Sequence, residues 1–244
     1  MNVAGYDSMV PIIPEGECGD YRIEHLPKNW DGVVRDAVET RFSWMMRFSR
    51  TDTYCILWDK KEIIMSDTDL ERVTNEVVLQ DAYGDVLIAG LGIGMLPYHL
   101  CKLDKVKSVT VLEIQSKVIT LVYPHIRHPK LQVILANAEV PPFPDNKPPF
   151  NYAYIDIWST AGVEWDVLKQ YLIDFSLYVP DGGCVDAWLR EYTFILDNGG
   201  IKNLPDMYRP LSGWYYHDDG AEEQVDPMLR AIFETNFLAK RGGK

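Results

Sequence analysis

The chain has 244 residues, long enough for one core with an appended region. Hydrophobic residues make up 47%, an ordinary share, but 36 acidic against 24 basic side chains give a net charge of −12. Such a field repels phosphate backbones and argues against a nucleic-acid partner; no apolar run reaches the length of a membrane span, the opening "MNVAGYDSMV" lacks a secretory signal, and a cytoplasmic location is expected.

Residues 1–80 read as an N-terminal region. "CGDYRIEHLP" partly alternates, as a strand does, and the spaced apolar residues of "DGVVRDAVETRFSWMMRF" from Asp31 predict a helix. "TYCILWDKKEIIM" predicts a hairpin of Thr53 to Trp58 and Glu62 to Met65 around "DKK". "SDTDLERVTNEVVLQDA" follows with one apolar side at Leu70, Val73, Val77, Val78 and Ala82, and its Ser/Asp/Thr opening is a candidate helix cap.

From residue 81 the rhythm changes, and 81–244 reads as one α/β domain with an irregular C-terminal extension. The strand candidates are "DVLIAG", "SVTVLE", "LQVILA", "NYAYIDIW" and "GGCVDAW". Helix candidates "GMLPYHLCKL", "QSKVITLVYPHI" and "VEWDVLKQYLIDFSLY" lie between them. Alternation of this kind predicts a Rossmann-like, mostly parallel sheet with helices on both faces. Ligands bind such sheets beyond the carboxyl ends of the strands. A last helix is expected in "DPMLRAIFETNFLA". Cys18, Cys55, Cys101 and Cys184 are far apart, with no CxxC pair, and read as free thiols; no metal site is suggested.

Gly90, Gly92 and Gly94 form a G-x-G-x-G turn between the first strand and its helix. Bare backbone there lets a ligand approach main-chain N–H groups and the positive end of a helix dipole. Close packing of helix on strand also demands glycine. The dinucleotide fingerprint has its third glycine one position later, where Met95 stands, so a smaller nucleoside is favoured. Glu113 ends the second strand and can accept hydrogen bonds from both ribose hydroxyls; it can also be a solvated strand end. Asn137, ending the third, could read an adenine edge or be a turn residue. Asp156, inside "YIDIW", is costly to bury without partners and reads as a site residue. Trp158 follows it, either facing the reaction region or packing under a loop.

Taken together, Gly90 to Gly94, Glu113, Asn137, Asp156 and "YVPDGG" resemble the class I S-adenosylmethionine-dependent methyltransferases over about Asp81 to Trp188. The resemblance implies S-adenosyl-L-methionine as cofactor. Gly90, Gly92 and Gly94 would hold its methionine part, Glu113 its ribose, and Asn137 and Ala138 its adenine, where related members often carry an acidic residue. Asp156 would approach the methionine amino group or the substrate, and would be the catalytic residue that orients or deprotonates the acceptor.

"LWDKKEIIMSDTDLERVTNEVVLQDAYGDVLIAGLGIG" is further similar to the spermidine synthase-like (polyamine aminopropyltransferase) branch, which uses decarboxylated S-adenosylmethionine. That branch carries Tyr-His-Glu before the glycine strand and a second acidic residue three positions after the one matching Asp156. Here Val73, Thr74, Asn75 and Glu76 occupy the first region, and Ser159 the second position. Asp67, Asp69 or Asp218 is then left to supply a second carboxylate. The expected activity is methyl transfer to a small acceptor, with cationic acceptors suited by the acidic balance. Aminopropyl transfer and non-catalytic cofactor binding remain the alternatives. Trp158, Ser159 and Asp67 are the expected substrate contacts, and His217 is a candidate base. Tyr21, Trp44, Trp58, Tyr215 and Tyr216 are candidate pocket aromatics. A small-molecule substrate is expected, with no nucleic acid and no membrane; a homodimer is left open.

Overall fold

The two rhythms of the sequence become two separate sheets. The structure, a computed structural model, describes residues 6–27, 53–68, 71–72, 75–143, 149–158, 165–188 and 190. The helices expected from Asp31 and in "DPMLRAIFETNFLA" lie outside these residues. Contacts group the chain into two compact units, 1–160 with 168–188, and 161–167 with 189–244; both sheets belong to the first.

The first sheet is antiparallel. Its strands are β1 (Gly16–Cys18), β2 (Tyr21–Pro27), β3 (Thr53–Asp59) and β4 (Glu62–Ser66), in the order β1-β2-β3-β4. The expected hairpin is β3–β4, one residue longer on each arm. Asp59 pairs with Glu62, and Lys60 takes a positive φ of 54° in the two-residue turn between them. Tyr54, Ile56 and Trp58 alternate onto one buried face, where Leu26 and Ile63 pack against them.

The second sheet is parallel. Its strands are β5 (Gly84–Ala89), β6 (Val106–Glu113), β7 (Leu131–Leu135), β8 (Tyr152–Ile155) and β9 (Cys184–Ala187), in the order β7-β6-β5-β8-β9. Helices α1 (Glu76–Asp81), α2 (Met95–Cys101), α3 (Ser116–Val122) and α4 (Trp165–Ser176) flank it, giving the Rossmann-like α/β fold expected. Val86, Leu87, Ile88 and Ala89 are buried, as unbroken apolar runs in central parallel strands are. All four cysteines are free. Among the described residues no helix is long and apolar enough to cross a membrane.

One buried carboxylate organises the start of the chain. Asp67 is fully inaccessible. One of its oxygens accepts from the Cys55 N–H at 2.7 Å. The other accepts from the Met9 N–H at 2.7 Å, the Ser8 hydroxyl at 3.0 Å and the Arg72 guanidinium at 3.1 Å. Its side chain is drawn into the core. Asp67 and Thr68 precede helical Glu71 and Arg72, with the Arg72 N–H donating to the Thr68 carbonyl at 3.1 Å, and α1 follows from Glu76. His99 makes a second tie. Its Nε2 accepts from the Asp7 N–H at 2.8 Å, so Nδ1 carries the proton and donates to the Met95 carbonyl at 2.8 Å. Burial lowers the pKa of this ring, in keeping with its neutral form.

Replacing Asp67 with Ala should destabilise the protein by roughly 3–5 kcal/mol, because Arg72, itself buried, loses its carboxylate. Urea unfolding monitored by circular dichroism measures this, and a loss below about 1 kcal/mol would show that the Asp67–Arg72 pair is not a structural hub.

Candidate functional site

Parallel pairing places the strand ends in one row. Ala136 N–H donates to the Glu113 carbonyl, Gly90 N–H to Leu112, Asp156 N–H to Ala89 and Trp188 N–H to Ile155. Read across the sheet, Ala136, Glu113, Gly90, Asp156 and Trp188 stand side by side at the carboxyl edge. All five line one cavity of about 380 Å³. That volume is within the usual small-molecule range of about 300–1,000 Å³. The antiparallel sheet supplies Tyr21, Leu57, Ile64 and Met65 to the same cavity.

The glycine turn meets two demands. Gly90 has a φ of 99°, and a Cβ there would overlap the carbonyl oxygen of Asp156. Only glycine allows β5 and β8 to close at this point. Gly94 (φ 72°) is covered by Ile126 and Val122 and does not border the cavity, so it serves helix packing. Gly92 borders the cavity, with the Met65 thioether lying where its side chain would be. The N–H groups of Gly90, Leu91 and Gly94 are engaged with Leu112, Glu113 and Leu91 respectively. The turn thus offers fewer main-chain donors than its sequence suggests.

Glu113 is 8% exposed. One carboxylate oxygen accepts from the Leu91 N–H at 2.9 Å and the other from the Gln115 N–H at 2.8 Å. Burial raises its pKa, and these main-chain donors partly offset the rise. Each oxygen keeps acceptor capacity for a ligand hydroxyl.

At the β7 end, Asn137 and Ala138 line the cavity. The Asn137 amide turns onto Glu139. Its Nδ2 donates to Glu139 Oε2 at 3.2 Å, and its Oδ1 accepts from the Glu139 N–H at 3.0 Å. Glu139 is a lining residue that the sequence reading missed. The Tyr171 phenol, from α4, donates to it at 3.0 Å. Trp158 also lines the cavity, its ring 6.2 Å from that of Tyr171.

The second missed residue is Glu71. It lines the cavity with Asp156. Burial, then the charge of Asp156, raises the Glu71 pKa, and burial pushes Asp156 up to about 7. The cavity wall thus holds four carboxylates, Glu71, Glu113, Glu139 and Asp156, and its described lining contains no Lys, Arg or His. Asp67, expected at the substrate, is sealed in the core and does not line the cavity. Ser159, Asp69, Asp218, His217, Trp44, Tyr215 and Tyr216 lie outside the described residues. Among the described residues no cluster of three or more His, Cys, Asp or Glu is placed to hold a metal ion. The sequence signal for Glu71 was the missing acid at position 159, which demanded a carboxylate from elsewhere. For Glu139 it was simple adjacency to Asn137.

No protein-family model matches the chain, and no curated protein matches it. Solved structures that align with it include spermidine synthase from Thermotoga maritima, 14% identical over 68% of this chain and 52% of that one, with a TM-score of 0.39. A Haloferax volcanii complex of the Trm112 methyltransferase activator with a methyltransferase aligns at 14% identity over 46% and 50%, TM-score 0.37. An S-adenosylmethionine-dependent methyltransferase from Clostridium acetobutylicum aligns at 21% over 44% and 43%, TM-score 0.34. The chain spans about half the length of these structures. Likenesses at these scores carry no functional argument, which rests on the residues of the cavity.

The Asp156 shift fixes a pH dependence. A carboxyl whose pKa is raised in the fold binds more protons there than in the unfolded chain, between its ordinary 3.8 and about 7. Its contribution to stability therefore falls as pH rises through that window. The melting temperature of Asp156→Asn, relative to wild type, should climb over the same range; a constant difference would show that Asp156 is not perturbed.

Proposed function

We propose that this chain is an S-adenosylmethionine-dependent methyltransferase acting on a small cationic amine. The observation that carries this reading is the row of strand ends, in which Gly90, Glu113 and Asp156 border one acidic cavity. The residues present fit the cofactor. Glu113 would accept hydrogen bonds from its ribose hydroxyls, Ala138 and the Asn137–Glu139 pair would border its base, and the Gly90 and Gly92 backbone would lie along its amino-acid part. The sulfonium supplies an already activated methyl group when bound.

The chain's own work is then placement and proton handling. Four carboxylates in a site partly closed to water favour ligands carrying positive charge, and disfavour a second anion. Trp158 and Tyr171 present an aromatic wall that can face a cation. Asp156 orients the acceptor nitrogen and accepts its proton, since a protonated amine has no lone pair with which to attack. Its raised pKa brings it close to neutrality, where a general base is effective.

A second reading is aminopropyl transfer from decarboxylated S-adenosylmethionine. It is favoured by one observation, that no cationic side chain stands in the described lining to receive the cofactor's carboxylate.

Calorimetry with S-adenosylmethionine, its decarboxylated form and S-adenosylhomocysteine tests both readings. Binding of S-adenosylhomocysteine, with Glu113→Ala weakening it about 10–100-fold, is the expected result. Binding of the decarboxylated form alone would replace the first reading with the second, and unchanged affinity in Glu113→Ala would remove the ribose assignment. Asp156→Asn should lower turnover about 100-fold or more while the protein stays folded; full turnover in that variant would end its role as base.

A further inference from the structure

The branch of enzymes that this sequence resembles carries a second acid beyond Asp156, and Ser159 stands in that position. The structure brings a carboxylate to Asp156 from elsewhere. Glu71 follows the antiparallel sheet and Asp156 follows β8 of the parallel sheet, yet both line the same cavity.

The backbone that carries Glu71 is fixed from several sides. Its carbonyl accepts from both the N–H and the side-chain amide of Asn75, at 3.1 and 2.9 Å. The Asn75 carbonyl in turn accepts from the Tyr6 phenol at 2.9 Å. Arg72, the next residue, is anchored by Asp67 in the core. With Arg72 turned inward to Asp67, its neighbour is presented to the cavity.

We propose that Glu71 and Asp156 form a single ammonium-binding, proton-accepting pair for the acceptor amine. The inference rests on the reading of the cavity as a site for a small cationic acceptor, and it assigns Glu71, rather than Asp67, as the second carboxylate. In the step it performs, one N–H bond of R–NH₃⁺ breaks and its electron pair stays on nitrogen. The proton forms an O–H bond with a carboxylate oxygen of the pair. Nitrogen loses one unit of charge and the pair gains one, so no further reactant is needed. The charge of Asp156 adds to burial in raising the affinity of Glu71 for a proton, burial raises that of Asp156, and the pair can take up the amine's proton near neutral pH.

The groups that feel Asp156 are Glu71, the Tyr6 phenol and the Tyr154 phenol on β8; both phenols have raised pKa values, with burial as the main cause. Glu113 and Glu139 share the cavity wall. The phenols stay neutral, so pH dependence near neutrality falls to the carboxylates. Ammonium binding should strengthen as pH rises and the pair loses protons.

The test uses the full chain with 1,4-diaminobutane as the probe amine, titrated by calorimetry at mildly acid and mildly alkaline pH. Carbon-13 NMR of labelled Asp and Glu carboxyls provides an independent readout. Wild type should bind the diamine more tightly at the alkaline pH. Glu71→Gln should weaken that binding about tenfold or more. Asp156→Asn should weaken it likewise and lower the Glu71 titration, and serves if the first variant does not fold. Wild type that binds the diamine but no S-adenosylhomocysteine would support the pair and remove the transferase reading. Uptake of S-adenosylhomocysteine with no diamine binding would overturn the pair alone, as would Glu71→Gln with diamine affinity unchanged or Asp156→Asn with the Glu71 titration unchanged.

Discussion

Three segments distant in sequence converge on the carboxylate of Asp67, and the candidate site depends on that convergence. The opening segment donates through Ser8 and Met9, β3 through Cys55, and the stretch before α1 through Arg72. A buried carboxylate is tolerable only when its lone pairs are filled, and four donors fill these. The cost of leaving any of them unmet pins the segments to one arrangement. In that arrangement Arg72 turns to Asp67 and its neighbour Glu71 lines the cavity wall.

The parallel sheet supplies the other half by register alone. Ala89 pairs with Ile155 and Glu113 with Leu135, so the residues after each strand form a row without any special loop. The two acidic members of that row sit in different surroundings. Glu113 takes main-chain N–H donors on both oxygens, which oppose the upward push of burial. Burial pushes the Asp156 carboxyl up to about 7. One carboxylate is thereby suited to accept hydrogen bonds and the other to exchange a proton, a division set by donors rather than by residue type.

Much of the fold was legible because burial on both faces of a parallel sheet leaves unbroken apolar runs. "DVLIA", "SVTVLE" and "AYI" fall in the strands where they were expected, and the "DKK" hairpin matches to within one residue. In the stretch before α1 the described residues Glu71 and Arg72 are helical, in keeping with its apolar spacing, but spacing does not show which of its side chains the core takes up. Glu71 drew no notice in the sequence because the carboxylate that shares its cavity follows a strand of the other sheet, which spacing cannot reveal. Asp67 looked available because sequence does not show which acid is consumed by the core. The glycines were legible as a tight turn, but their cause was only half seen. Gly90 is required by the approach of β8 and Gly94 by packing against Ile126 and Val122.

The two sheets share no strand pairing, yet Tyr21, Leu57, Ile64 and Met65 from one face Glu113, Asp156 and Trp188 from the other across the same space. A molecule seated there works as a cross-brace. Its binding free energy adds to the stability of the whole arrangement, in proportion to the logarithm of its concentration over its dissociation constant. Occupancy is therefore written into the mechanical coherence of the fold as well as into its chemistry, and amide hydrogens of the outlying antiparallel strands sense a ligand whose reactive atoms lie beyond the neighbouring sheet.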